Sequence, residues 1–151
     1  KVHYSWDLVC DYGIFRDLQR HRMVDDLNWQ QLTPRYGYDM PKLVTDAGLE
    51  DLFEEAFDVS LKLFSQLQQA GYELQTQYAT LLGHRMRWKI TYNAREAFHL
   101  HELRTSPQGH PGYRKLVKEM DVRMVFVGMK MLDYRSDEIK KINVPFYFLG
   151  N

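Results

Sequence analysis

Residues 20–36 read RHRMVDDLNWQQLTPRY, and the course of the chain on either side depends on how this stretch is taken. It opens with Arg20, His21 and Arg22, crosses a polar loop and closes on Thr33, Arg35 and Tyr36, so cationic donors stand at both ends of one loop. A guanidinium is a planar fork of donors matched to phosphate oxygens, and a loop carried between rigid elements can turn several such groups onto one anion. A structural reading competes with this one. Three cations at the end of a helix offset its dipole and need no ligand.

Outward toward the N-terminus, Val2, Tyr4, Trp6 and Leu8 alternate with His3, Ser5 and Asp7, the period of a half-buried strand. Asp11 then caps a helix running through Ile14, Phe15 and Leu18 towards His21, which delivers the Arg-His-Arg cluster to the loop. Outward in the other direction, residues 37–41 (GYDMP) remain irregular. Thr45 or Asp46 caps a long core helix whose Leu49, Leu52, Phe53, Ala56, Phe57, Phe64 and Leu67 keep helical spacing up to Gly71. Its acidic residues Glu50, Asp51, Glu54 and Glu55 make a solvated outer face. A short helix is predicted over residues 73–81.

Gly83 precedes HRMRWKITY, a strand with Met86, Trp88 and Ile90 inward and Arg85, Arg87 and Lys89 facing solvent. Asn93 followed by Glu96 has the spacing of a capping box and opens a helix ending near Arg104, ahead of Ser106, Pro107 and Gly109. Pro111 opens a last helix with Tyr113, Leu116, Val117, Met120, Met124, Val127 and Met131 on one stripe. The apolar strip 144–149 is expected to dock on a neighbour. Together these elements predict an α+β fold, a β-sheet packed with long helices.

The chain of 151 residues, 44% hydrophobic and 26% charged, suits a single domain over residues 1–151 with a real core. No apolar run approaches the ~20 residues that span a bilayer. Twenty basic and twenty acidic residues cancel, so any anion site must come from local clustering. The same balance argues against an RNA-binding module built on the basic strand with Trp88 and Tyr92. Cys10 is the sole cysteine, which excludes an internal disulfide and agrees with a cytoplasmic setting. The chain starts at Lys1, directly on a strand pattern, and is expected to be a fragment of a longer one. No nucleophile elbow or Gly-rich phosphate loop occurs. His99, His101 and His110 lack metal-ligand spacing and a completing carboxylate, so no metal site is expected.

What remains is the cationic loop and the helix from Asn93 to Arg104. Eleven residues at ~100° each place these two within roughly 20° on one helix face and about 16 Å apart, the length of an extended ligand. Arg-His-Arg, a loop ending TPRY, and NAR with HELR downstream resemble the flavin-dependent thymidylate synthases, whose pattern is Arg-His-Arg, a spacer, a Ser and an Arg-Tyr pair. The resemblance implies that Arg20, His21, Arg22, Asn93 and His99 bind FAD. It also implies that Gln31, Thr33, Arg35 and Arg104 contact dUMP, with Thr33 and Arg104 nearest the chemistry. Asn93, His99 and Arg104 keep the family's intervals of six and five residues. The implied activity is methylation of dUMP to dTMP with methylenetetrahydrofolate, reduced FAD and NADPH, in a homotetramer or with a partner domain.

The loop departs from the pattern in being longer. Thr33 replaces a Ser, Gln31 a Glu and His99 an Asn, Asp17 stands in place of a Gln that contacts dUMP, and Gln77 in place of an Arg that holds its phosphate. An alternative expectation follows: a catalytically degenerate member that serves as a flavin- or nucleotide-binding or structural domain.

Overall fold

The computed structural model describes residues 2–126. Lys1, the end of the last helical stripe (Val127 and Met131) and the strip 144–149 lie outside the described residues. The fold is α+β, helices with a small antiparallel sheet: β1 (His3–Asp11), α1 (Tyr12–Leu18), β2 (Asp26–Trp29), α2 (Lys42–Asp46), α3 (Glu50–Gln69), β3 (Arg85–Asn93), α4 (Ala94–Thr105) and α5 (Pro111–Phe126). Single 3-10 turns occupy Pro34–Tyr36 and Gln75–Ala79. The sheet order is β1-β3-β2. No helix among the described residues is long and apolar enough to cross a membrane.

The described chain forms two compact units, one of residues 2–7, 17–27 and 89–126, the other of 8–16 and 28–88. In the first, Ile90 and Tyr92 of β3, Ala97 and Leu100 of α4, and Leu116, Val117, Met120 and Met124 of α5 are buried. Among the described residues, the expected stripe from Leu116 to Met124 is therefore core. A buried polar line runs through this core. The Tyr92 hydroxyl meets His101 Nε2 at 3.1 Å, and His101 Nδ1 meets Asp121 Oδ1 at 3.1 Å. Because the carboxylate can only accept, Nδ1 carries the proton and Nε2 accepts from the tyrosine. Burial raises the Tyr92 phenol well above 10.0, which keeps it a donor.

In the second unit, Met86 and Trp88 are buried with Leu8, Cys10, Ile14, Phe15, Phe57 and Phe64. The Trp88 indole donates to Cys10 Sγ at 3.2 Å, and burial pushes the thiol up to about 12. Asp11 caps α1 as expected, its Oδ1 accepting from Ile14 N at 2.7 Å.

Four expectations about elements need correction. First, α1 stops at Leu18 instead of reaching His21, whose ring is drawn to a buried partner on α4. Second, residues 26–29 form a strand inside the segment read as loop. Backbone bonds from Asp25 N to Thr91 O (2.8 Å) and Gln30 N to Arg87 O (3.2 Å) flank it, while its side chains are exposed apart from half-buried Leu27, so hydrophobic alternation could not reveal it. Third, neither Thr45 nor Asp46 caps the long helix. α2 ends there, Gly48 takes a left-handed φ of 64°, and α3 starts after Leu49. Fourth, α3 is only partly a core helix: Phe57 and Phe64 are buried, but Leu49, Leu52 and Ala56 are exposed. The short helix near 73–81 is a 3-10 turn.

Candidate nucleotide-anion site

The first unit holds a cavity of about 270 Å³ lined by Arg20, His21, Arg22, Met23, Glu96, His99, Leu103 and Arg104. Asn93 builds its floor indirectly. Its side chain accepts from Glu96 N at 3.1 Å and starts α4, and the helix then carries Glu96, His99, Leu103 and Arg104. Glu96, His99 and Leu103 follow at the three- and four-residue steps that keep side chains on one side of a helix, and Arg104, one position on, stands at the edge of that face. The Glu96 carboxylate does not complete the capping box in which the spacing placed it. It reaches His21 instead.

His21 is buried, with Nδ1 at 2.7 Å from Glu96 Oε1 and Nε2 at 2.9 Å from Arg104 Nε. The Arg104 Nε–H can only donate, so Nε2 accepts and the ring proton sits on Nδ1, donated to Glu96. Burial, opposed by the Glu96 bond and reinforced by the Arg104 charge, lowers the His21 pKa below 6.5 and leaves a neutral imidazole at pH 7. The His99 ring meets that of His21 edge-on, with centroids 5.6 Å apart. Arg104 also lies 5.3 Å above the Tyr113 ring, a cation–π contact. A Cβ at Gly109 would come within 2.7 Å of that same ring, so glycine is what leaves the ring its place.

Arg20 and Arg22 are exposed at the rim. Asp17, the acidic departure from the family pattern, is 3.6 Å from Arg20, the pairing that its charge requires. His21, Glu96 and His99 bring three potential metal-ligand atoms within 4.8 Å of one another, a set with a carboxylate that sequence spacing missed. A cation there would have to displace the Nδ1 proton beside three guanidinium groups, and Nε2 is already taken by Arg104. The donor set suits an anion.

The remaining expected site residues belong to the second unit, where Thr33 and Arg35 are engaged locally. Thr33 caps the 3-10 turn, its hydroxyl accepting from Arg35 N at 3.3 Å. Arg35 donates to Gln68 at 3.1 Å and lies 5.8 Å above the Phe64 ring. Gln31 is exposed. Gln77 accepts from Leu32 N at 3.1 Å and so holds the loop backbone. On the basic strand, Arg85 is half-buried rather than solvated and pairs with Asp39. Glu96, Tyr113 and the apolar lining residues Met23 and Leu103 are the ones that sequence reasoning did not place at the site. The only signal for Glu96 was its offset from Asn93.

The domain is of the α+β class with a small antiparallel sheet, and its helix-borne cavity is lined by three guanidinium groups, donor chemistry that suits an anion. More particularly, the chain belongs to the thymidylate synthase complementing protein family, a flavin-dependent family whose sequence model matches residues 1–125. Relatives include UPF0159 proteins of Chlamydia muridarum (30% identical over 147 residues, 93% of this chain and 27% of the relative) and Chlamydia pneumoniae (32% over 149 residues, 94% and 28%). Another, from Thermoplasma acidophilum, is 31% identical over 120 residues, 79% of this chain and 24% of its own length. The chain thus spans about a quarter of the length of the curated relatives it matches. Among solved structures, a UMP/dUMP methylase, PolB from Streptomyces cacaoi, bound with 5-Br UMP, is similar with a TM-score of 0.67, covering 82% of this chain and 68% of that one. At 15% identity the likeness is one of fold.

Proposed function

We propose that this chain is one domain of a cytoplasmic flavin-dependent thymidylate synthase-like enzyme, which methylates dUMP to dTMP using methylenetetrahydrofolate, FAD and NADPH within an oligomer. The observation that carries the reading is the buried Glu96–His21–Arg104 chain beneath an Arg-rimmed cavity, in the segment where the family has its Arg-His-Arg motif. Arg20, Arg22 and Arg104 supply the donor chemistry that a dinucleotide's phosphates need, so the residues fit FAD. The flavin, when bound, supplies the redox step. The chain's own residues bind and orient it. Glu96 holds His21 in one tautomer, His21 accepts from Arg104 Nε, and Tyr113 supports the same guanidinium from its face.

A purified protein with flavin absorbance, or one that takes up FAD in a titration, supports the reading. Replacing Arg20 and Arg22 together with alanine should abolish uptake while leaving the melting temperature nearly unchanged, since exposed charges contribute only ~0–1 kcal/mol. A double variant that melts far below the parent makes the cluster structural. A second reading, a degenerate member that holds flavin without turning over dUMP, is favoured by one observation: Gln77 is spent on Leu32 N where the family pattern has a phosphate-holding Arg.

A further inference from the structure

A phenol, an imidazole and a carboxylate stand in the first unit's core, where apolar side chains would fill the same space. Tyr92, His101 and Asp121 are each 0% exposed. The Tyr92 hydroxyl is 3.1 Å from His101 Nε2, and His101 Nδ1 is 3.1 Å from Asp121 Oδ1. The other carboxylate oxygen, Oδ2, is buried and has no hydrogen-bond partner among the described residues. A line that served packing alone gains nothing from a buried acceptor left unsatisfied. The cost of that oxygen falls once the imidazole beside it gains a proton and becomes a counter-charge.

Burial above all, with Asp121 and then Glu96 of the cavity wall adding to it, raises the Tyr92 phenol well above 10.0. At neutral pH the residue therefore cannot lose its proton first and an electron afterwards. A phenol stripped of an electron alone becomes a strong acid, so its oxidation is easy only where a base already waits on the O–H bond. His101 Nε2 is such a base, held in the accepting tautomer by the bond from Nδ1–H to Asp121. The half-buried Tyr4 ring, 6.4 Å from that of Tyr92 between centroids, is an aromatic neighbour through which the electron can leave the core.

We propose that Tyr92 is a redox-active residue, which yields one electron to a one-electron oxidant outside the core while its phenol proton passes to His101 Nε2. The O–H bond of Tyr92 breaks and an N–H bond forms on His101. The electron reduces the oxidant by one, leaving a neutral phenoxyl radical beside an imidazolium whose charge Asp121 balances. An excited oxidised flavin is one oxidant of this class, but the step requires no bound flavin and stands apart from the flavin-dependent reading.

Flash photolysis of the protein with ruthenium tris(bipyridine) and a cobalt(III) ammine acceptor supplies ruthenium(III) as the oxidant, and the phenoxyl is read by its absorbance and electron paramagnetic resonance. Exposed tyrosines such as Tyr78 also react, but their radicals are free to meet and couple. A buried one is not. We therefore expect a long-lived phenoxyl component that Tyr78→Phe spares and Tyr92→Phe removes. Its rate of formation should be indifferent to the concentration of buffer base, because the base is internal, whereas oxidation of a solvated tyrosine speeds up as buffer base is added. His101→Gln, which keeps a polar side chain but takes no proton, should abolish the component. Absence of a long-lived phenoxyl in the unmodified protein overturns the proposal, as does its survival in Tyr92→Phe or His101→Gln. So does a formation rate that climbs with buffer base, a result read on the unmodified protein and independent of whether any variant folds.

Discussion

His21 is neutral because burial penalises its charged form and Arg104 repels it, against the pull of Glu96. Its pKa lies below 6.5, the value in the unfolded chain, so below pH 6.5 the unfolded state binds more protons and stability falls as the pH drops towards the folded value. His84 is lowered by burial and acts in the same direction, while Glu119 is raised by burial and acts oppositely, its contribution being lost as pH rises through its folded value. We expect His21→Gln to flatten the acid limb below pH 6.5, measured as urea midpoints across pH. Glu96→Leu leaves the Nδ1 proton without an acceptor and should cost about 1–3 kcal/mol by the same measurement. The cationic part of this site was legible because Arg20, His21, Arg22 and Arg104 announce themselves as charges. Glu96 was not, since its partner is 75 residues away and its offset from Asn93 speaks only of a local cap.

At the scale of elements, the capped start of α4 matters because one helix carries four of the cavity residues. Asn93→Ala removes the bond to Glu96 N and should cost about 1 kcal/mol in a denaturant titration. A larger loss of FAD affinity than of stability would mark Asn93 as a direct flavin contact. Long periodic elements were readable: β1, β3, α4 and α5 lie where alternation, Asn93 and Pro111 put them. Two failures share one cause, the use of apolar spacing as a guide to burial. β2 is held by backbone bonds that leave no pattern in its side chains, and α3 has apolar residues on two sides, of which only one is core. The break at Gly48 was visible as a glycine, yet the helical spacing around it outweighed that signal.

For the whole molecule, zero net charge means that anion capture rests on local clusters, and of the residues that the family resemblance assigns to dUMP, Thr33 is engaged as a cap and Arg35 on Gln68, while Gln77, in the place of a phosphate-holding Arg, is engaged on Leu32. We therefore expect weak dUMP binding by calorimetry, and tight binding by the unmodified chain would argue for ordinary thymidylate synthase chemistry. The buried line from Tyr92 through His101 to Asp121 has a different consequence. It ties β3, α4 and α5 by polar bonds that no water can replace without opening all three. Amide hydrogens along α4 and α5 should then exchange with solvent deuterium in a single cooperative step. Asp121→Leu should split that step in two, so that one helix trades its hydrogens while the other still keeps them.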